Sequence, residues 1–176
     1  LIQFNEPPAI ASNIPATDTI CAFEQRDTFL MTSAFSISDD GTVIASAKVE
    51  ICTNYLATED TLIPGSLPGG ITTAWTDGSG TLMLMGNASL ADYETAIEGI
   101  QYLNQADAPN TSIREVCITV NDGISISNQV TRELKVKPIN DCPVAVRDTV
   151  SIPENNNITM FNVLANDTDL ESNMLS

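Results

Sequence analysis

The side chains of this sequence best suited to chemistry are oxygen donors. Aspartate and glutamate number 23 against 7 lysines and arginines, the net charge is −16, and histidine is absent. The acids recur in short runs with asparagine and glycine: Asn5-Glu6, Asp39-Asp40-Gly41, Asn104-Gln105-Ala106-Asp107, Asn121-Asp122-Gly123, Asn140-Asp141 and Asn166-Asp167-Thr168-Asp169, with Glu24 standing apart. Carboxylates brought together repel and raise one another's pKa unless a cation neutralises them. Calcium takes roughly six to eight oxygens from carboxylates, amides and backbone carbonyls, which is the inventory on offer, and magnesium is the second choice. Zinc and copper fit poorly, because no imidazole and no CxxC pair is present. The plainer reading is that Asp, Asn and Gly form turns without any metal. Asp39 with Asp40, or Glu24 with Asp107, has the residue types of a glycosidase pair, but nothing places either pair in a cleft. The expectation is a chain that is not an enzyme.

Composition narrows the classes further. Without histidine, Ser-His-Asp and Cys-His mechanisms are impossible within the chain. The acid excess cannot neutralise phosphates, so neither nucleic acid nor an anionic membrane surface is an expected partner. No apolar run approaches the roughly 18 residues of a membrane-spanning helix, so no membrane insertion is expected. With 176 residues and 43% apolar content, a core can form. The absence of a signal region at Leu1 reads as a mature or internal piece of a longer protein that is secreted or displayed at the cell surface.

The elements that would position the acids are strands. In Val43 to Cys52 the odd positions 43 to 51 are apolar, as in a half-buried strand. Ile113 to Val120 repeats the pattern, with Val116, Ile118 and Val120 inward and Arg114 and Cys117 outward or partly so. Asn121-Asp122-Gly123 then predicts a hairpin with Ile124 to Val136 as the return strand. Asp77-Gly78 marks the tip of a second hairpin within Trp75 to Leu82, with Trp75 packed in the core or against the hairpin. Leu90, Tyr93 and Ile97 have helical spacing, capped by Ser89 and ended by Gly99. A first strand carries Glu24 to one end of the molecule, and a second, about Asp27 to Ile37, returns Asp39 and Asp40 to the other. This places Asp122 and Asn5-Glu6 with Asp39 and Asp40. It places Asp107, Asn140, Asp141, Asp167 and Asp169 with Glu24.

Thr19 to Glu24 aligns with Thr149 to Glu154 at an offset of 130, and Asp39 then falls on Asp169, the mark of a tandem array. The boundaries follow: residues 1–6 end a preceding linker, 7–141 form one unit, and 142–176 begin a second, incomplete one.

Several motifs then converge on one family. Thr81-Leu82-Met83-Leu84-Met85-Gly86, Leu90-Ala91-Asp92-Tyr93, Ile100-Gln101-Tyr102, Val120-Asn121-Asp122-Gly123 and Ile139-Asn140-Asp141-Cys142-Pro143 resemble the bacterial cadherin-like repeats of large surface proteins. Pro153-Glu154-Asn155 and Val163 to Asp169 resemble the opening of another unit of the tandem Ig or cadherin type. The resemblance implies an all-β chain of Greek-key sandwiches with one short helical turn, strung end to end with calcium in the linkers. It implies one site from Glu24, Asp107, Asn140, Asp141, Asp167 and Asp169, and another from Glu6, Asp39, Asp40 and Asp122. It also implies an adhesive or filament-forming repeat that meets neighbouring repeats or copies of itself, by strand complementation among other contacts. A surface glycan or protein is its candidate ligand. An accessory carbohydrate-binding module of a secreted enzyme is the alternative. Phe23-Glu24 replaces the usual Pro-Glu, Glu6 the usual linker Asp, and cysteines are atypical for the family.

Four cysteines in a chain of secreted character favour two disulfides. Cys52 and Cys117 fall on strands expected to be neighbours, which leaves Cys21 for Cys142, with an intermolecular bond through Cys142 as the competitor. Sequons at Asn87, Asn110, Asn157 and Asn166 permit N-glycosylation. Asp18-Thr19-Ile20, Asp60-Thr61-Leu62 and Asp148-Thr149-Val150 resemble an O-glycosylation motif of Bacteroidetes secreted proteins.

Overall fold

The computed structural model of the chain describes residues 4–13, 18–30, 35–154, 157 and 160–170. It divides into two units, Leu1–Pro138 and Ile139–Ser176. The first is a β-sandwich. Its strands are β1 (Ala9–Ser12), β2 (Ile20–Phe23), β3 (Thr28–Phe29), β4 (Phe35–Ser38), β5 (Val43–Thr53), β6 (Asp60–Ile63), β7 (Thr72–Thr76), β8 (Thr81–Ser89), β9 (Gln101–Asn104), β10 (Arg114–Asn121) and β11 (Val130–Lys137). One helix, α1 (Leu90–Glu98), follows β8 directly.

Six strands form the main sheet in the order β2-β11-β10-β5-β8-β7. A three-stranded sheet, β3-β9-β6, and a two-stranded one, β1-β4, complete the sandwich. Alternation decides which side chains meet between them. Ala47, Val49 and Ile51 of β5, Leu82 and Leu84 of β8, Val116, Ile118 and Val120 of β10, and Leu134 and Val136 of β11 are buried. They share one apolar cluster with Ile10, Phe35, Ile37, Leu62 and Tyr102 from the smaller sheets. Pairing is antiparallel except between β11 and β2, which run parallel through Leu134–Ile20 to Lys137–Phe23.

Local signals account for much of this. Ser89 caps α1 in a capping box with Asp92, and Gly99 ends the helix. Tyr93, Ala96 and Ile97 are its buried face. The Asp77-Gly78 turn joins β7 to β8, with Thr76 opposite Thr81. Trp75 packs edge-to-face on Tyr55 with ring centroids 6.1 Å apart, and the Tyr55 hydroxyl donates to the Asp77 carbonyl at 2.5 Å.

Several expectations need correction. The strand from Asp27 to Ile37 is two strands in different sheets: Thr28 and Phe29 pair with β9, while Phe35 to Ser38 pair with β1. Residues 31–34 between them lie outside the described set. The return strand begins at Val130, not Ile124, because Asp122 winds the chain into a wider turn and leaves Ile124 and Ile126 exposed. The odd-residue alternation of β5 starts only at Ala47. A register shift between Ile44 and Ser46 turns Ile44 inward and leaves Val43 exposed. Arg114 points inward and is wholly buried.

Cys52 and Cys117 form a disulfide between β5 and β10, with Cα atoms 5.9 Å apart. Cys21, on the outward side of the outermost strand β2, and Cys142, on a loop of the second unit, are each free and exposed. That second unit has one described bridge, Val144 with Thr168, whose N–H groups donate to each other's carbonyls at 2.8 and 3.1 Å. The stretch Thr149 to Pro153 carries no ladder where its repeat counterpart, β2, does.

Candidate functional site

The anticipated acidic sites fall out as follows. In the first unit, β2 ends at Phe23 and delivers Glu24 to a buried position, where its N–H donates to the Lys137 carbonyl at 3.3 Å. Gln25 comes next, its N–H donating to the Asn104 carbonyl at 2.8 Å and its side-chain amide to the Asp107 carboxylate. Glu24 and Asp107 therefore share one end of the sandwich, bridged by Gln25. Asn140, Asp141, Asp167 and Asp169 belong to the second unit. There the Asn140 amide donates to the Asp141 carbonyl at 2.7 Å, and Asp167 accepts the Val146 N–H at 2.7 Å.

At the opposite end, Asp122 meets the incoming segment as expected. Its carboxylate accepts the N–H groups of Ile124 and Ser125, each at 2.7 Å, and the Asn5 side-chain amide at 2.9 Å. Those bonds, led by Ser125 and Ile124, hold its pKa below the ordinary carboxylate value. Asp39 accepts the Gly41 N–H at 3.1 Å, and its other oxygen is enclosed with no hydrogen-bond partner. Glu6 and Asp40 are exposed.

Among the described residues, no three acidic or cysteine side chains converge as a metal site would require. The Asp122 carboxylate accepts backbone donors, and one oxygen of Asp39 is left without a partner.

The densest charged constellation is one the sequence reading missed. Arg114, Asp60 and Asn104 are all buried. The Arg114 Nε donates to both Asp60 oxygens at 3.0 and 3.1 Å, and its Nη2 to Glu59 at 3.1 Å. Its Nη1 donates to the carbonyls of Asn110 and Ser112 at 2.5 and 3.0 Å. Asp60 also accepts the Tyr102 hydroxyl at 2.5 Å, the Asn104 amide at 3.1 Å and the Leu56 N–H at 2.9 Å. Glu59 accepts the Asn110 N–H at 3.0 Å. Burial first, then the bond to Asp60, pushes the Tyr102 pKa up. Every partner ties β6, β9, β10 or the loop at 105–113 to the others. The cluster is a closed staple, with no face turned toward a ligand. One signal could have revealed it: Arg114 shares the even parity of Val116, Ile118 and Val120, and so must point the same way.

A groove of about 500 Å³ lies beside β2, lined among others by Asp18, Cys21, Phe29 and Arg132. The Asp60-Thr61-Leu62 motif runs along β6 with Asp60 and Leu62 buried, and Thr61 accepts the Gln105 amide at 3.1 Å. The sequon residue Asn110 is exposed, and its side-chain oxygen accepts the Ser112 N–H at 2.8 Å.

No protein-family model matches the chain, and no curated protein matches it. Among solved structures it is similar to a cohesin module from a Clostridium perfringens ATCC13124 family 33 glycoside hydrolase. The identity is 14% and the TM-score 0.41, over 76% of this chain and 97% of that one. At that score the likeness carries no functional conclusion.

Proposed function

We propose that the chain is a non-catalytic module of a secreted or cell-surface protein, structural and adhesive in role, acting through contacts with neighbouring modules. The observation that supports it most is the Glu59–Asp60–Arg114 staple. Two carboxylates and a guanidinium face one another and fasten a loop to three strands, as suits a part that must keep its shape. The Cys52–Cys117 disulfide suits an oxidising, extracellular compartment. No described helix is long and apolar enough to cross a membrane.

The second reading is the accessory carbohydrate-binding module of a secreted enzyme. It is favoured by the half-buried Trp75 beside Tyr55 and Asp77 at one hairpin. The similar solved structure is itself a module of a glycoside hydrolase, but its TM-score of 0.41 decides nothing between the two readings. Binding of the tagged chain to surfaces coated with glycans or with proteins tests both. Retention on protein with no change in Trp75 emission supports the adhesive module. Retention on polysaccharide with quenching of Trp75 supports the accessory one. Release of reducing sugar overturns both.

Calcium at the linker acids remains a proposal, carried by the residue types of Asn140, Asp141, Asp167 and Asp169. Thermal unfolding with millimolar calcium and with chelator tests it, the disulfide intact in both. A rise in midpoint follows if the folded chain binds the ion. No shift removes calcium and leaves the disulfide and the buried staple to hold the module.

A further inference from the structure

The strand β7 is an outermost strand of the six-stranded sheet. It pairs with β8 from Thr72–Met85 to Thr76–Thr81, and among the described residues no strand lies on its other side. Open edges are templates for further strands, and proteins shield them with charges, prolines, bulges or covering groups. Two other edges, those of β4 and β1, are shielded by side chains. Glu94 and Glu98 of α1 accept the N–H groups of Ile37 and Phe35 on β4 at 2.7 and 3.1 Å. Asn128 binds both the N–H and the carbonyl of Ile10 on β1 at 2.8 Å.

Among the described residues, no such device appears on β7. Its sequence, Thr72-Thr73-Ala74-Trp75-Thr76, has no charge and no proline, and its register with β8 is unbroken. Trp75 lies across from Leu82, which is 1% exposed, yet remains half-buried itself. Cover gives out at the outermost strand. In a chain of net charge −16, this uncharged edge is where a second acidic copy can approach without meeting its own sign.

We propose that β7 pairs antiparallel with β7 of a second copy, in a register centred on Ala74, joining two six-stranded sheets side by side. Thr72 then faces Thr76 of the second copy, Thr73 faces Trp75, and the small Ala74 sits on the two-fold axis. The same patch serves both copies, so the contact closes at a dimer. Main-chain hydrogen bonds supply the attraction, as in other strand additions. Five residues make a small interface, weak between isolated chains and strengthened where many copies are tethered together. This contact is lateral and does not depend on the adhesive or accessory reading.

The test is sedimentation equilibrium of the full chain carrying Cys21→Ser and Cys142→Ser, so that no thiol cross-link supplies a dimer. Concentrations run from about 10 µM to about 1 mM, with Trp75 emission recorded alongside. The expected result is a dimer that forms with concentration, tightens when salt is raised to about 0.5 M, and shifts Trp75 emission to the blue. Thr72→Lys with Thr76→Lys sets like charges opposite each other and weakens association at least about tenfold. Thr72→Lys with Thr76→Glu sets opposite charges across the axis and restores it, with the same two positions altered. A monomer throughout, or a dimer indifferent to both variants, overturns the proposal.

Discussion

Arg114 is the residue on which most of the polar interior depends. Replacing it by methionine leaves Asp60 and Glu59 facing each other with their cation gone, in a site where Arg114 and Asp60 are fully buried. Breaking a buried pair in this way costs about 3–5 kcal/mol. The Arg114→Met chain is therefore expected to unfold at markedly lower urea, and protease is expected to cut it first in the loop at 105–113. Tyr102→Phe removes two hydrogen bonds from the same cluster, the one it donates to Asp60 and the one it accepts from the Asn104 amide, and should cost about 2 kcal/mol. Asp122 makes a different kind of test. Its folded pKa lies below its unfolded one. Its contribution is therefore complete above the ordinary carboxylate value and fades as pH falls through the lower folded value. The gap in melting temperature between the chain and Asp122→Ala should be full at about pH 6 and shrink toward about pH 2. A gap unchanged across that range would show that the turn does not need the charge.

At the level of elements, the Cys52–Cys117 bond joins two central strands across a separation of 65 residues. Closing a loop of that size restricts the unfolded chain by about 4 kcal/mol, so Cys52→Ser with Cys117→Ser should lower the denaturant midpoint accordingly. This bond, α1 and the Asp77-Gly78 hairpin were legible in the sequence because their determinants are local or lie on adjacent strands. Ser89 and Gly99 bracket the helix within ten residues, and Cys52 and Cys117 ride on the two clearest alternating segments. The break between β3 and β4 was not legible, because what separates them is pairing with β9 and β1, far away in sequence. Nor was the Asp60–Arg114 pair, 54 residues apart, although the parity of Arg114 pointed to it. The local bonds of the acids were not legible for a related reason. An aspartate that accepts its own backbone two or three residues on, as Asp39 and Asp122 do, looks in sequence the same as one awaiting a cation.

Across the whole molecule the three tyrosines report on integrity. Burial raises the pKa of Tyr55 and Tyr93 to about 12, Tyr55 with help from Asp77, and Tyr102 is raised as well. An unfolded chain ionises its tyrosines near the usual value of about 10, so the folded state loses stability as pH rises past that point. Absorbance titration should show no tyrosinate near pH 10 while the chain is folded, and a single rise coincident with loss of circular dichroism. Separate ionisation of one tyrosine below the unfolding pH would mean that its surroundings are open. The parallel pair β2–β11 has a consequence of its own. If the first unit is stretched along its chain, β1 detaches, and the pull then reaches β2 and β11 from opposite ends. Their four rungs are loaded together in shear instead of opening one after another. When they yield, the bond between Cys52 and Cys117 carries the tension past the residues between them, so on the order of 200 Å of contour stays hidden until the disulfide is reduced. The unit would lengthen in two stages under force, with the redox state of its surroundings deciding whether the second is available.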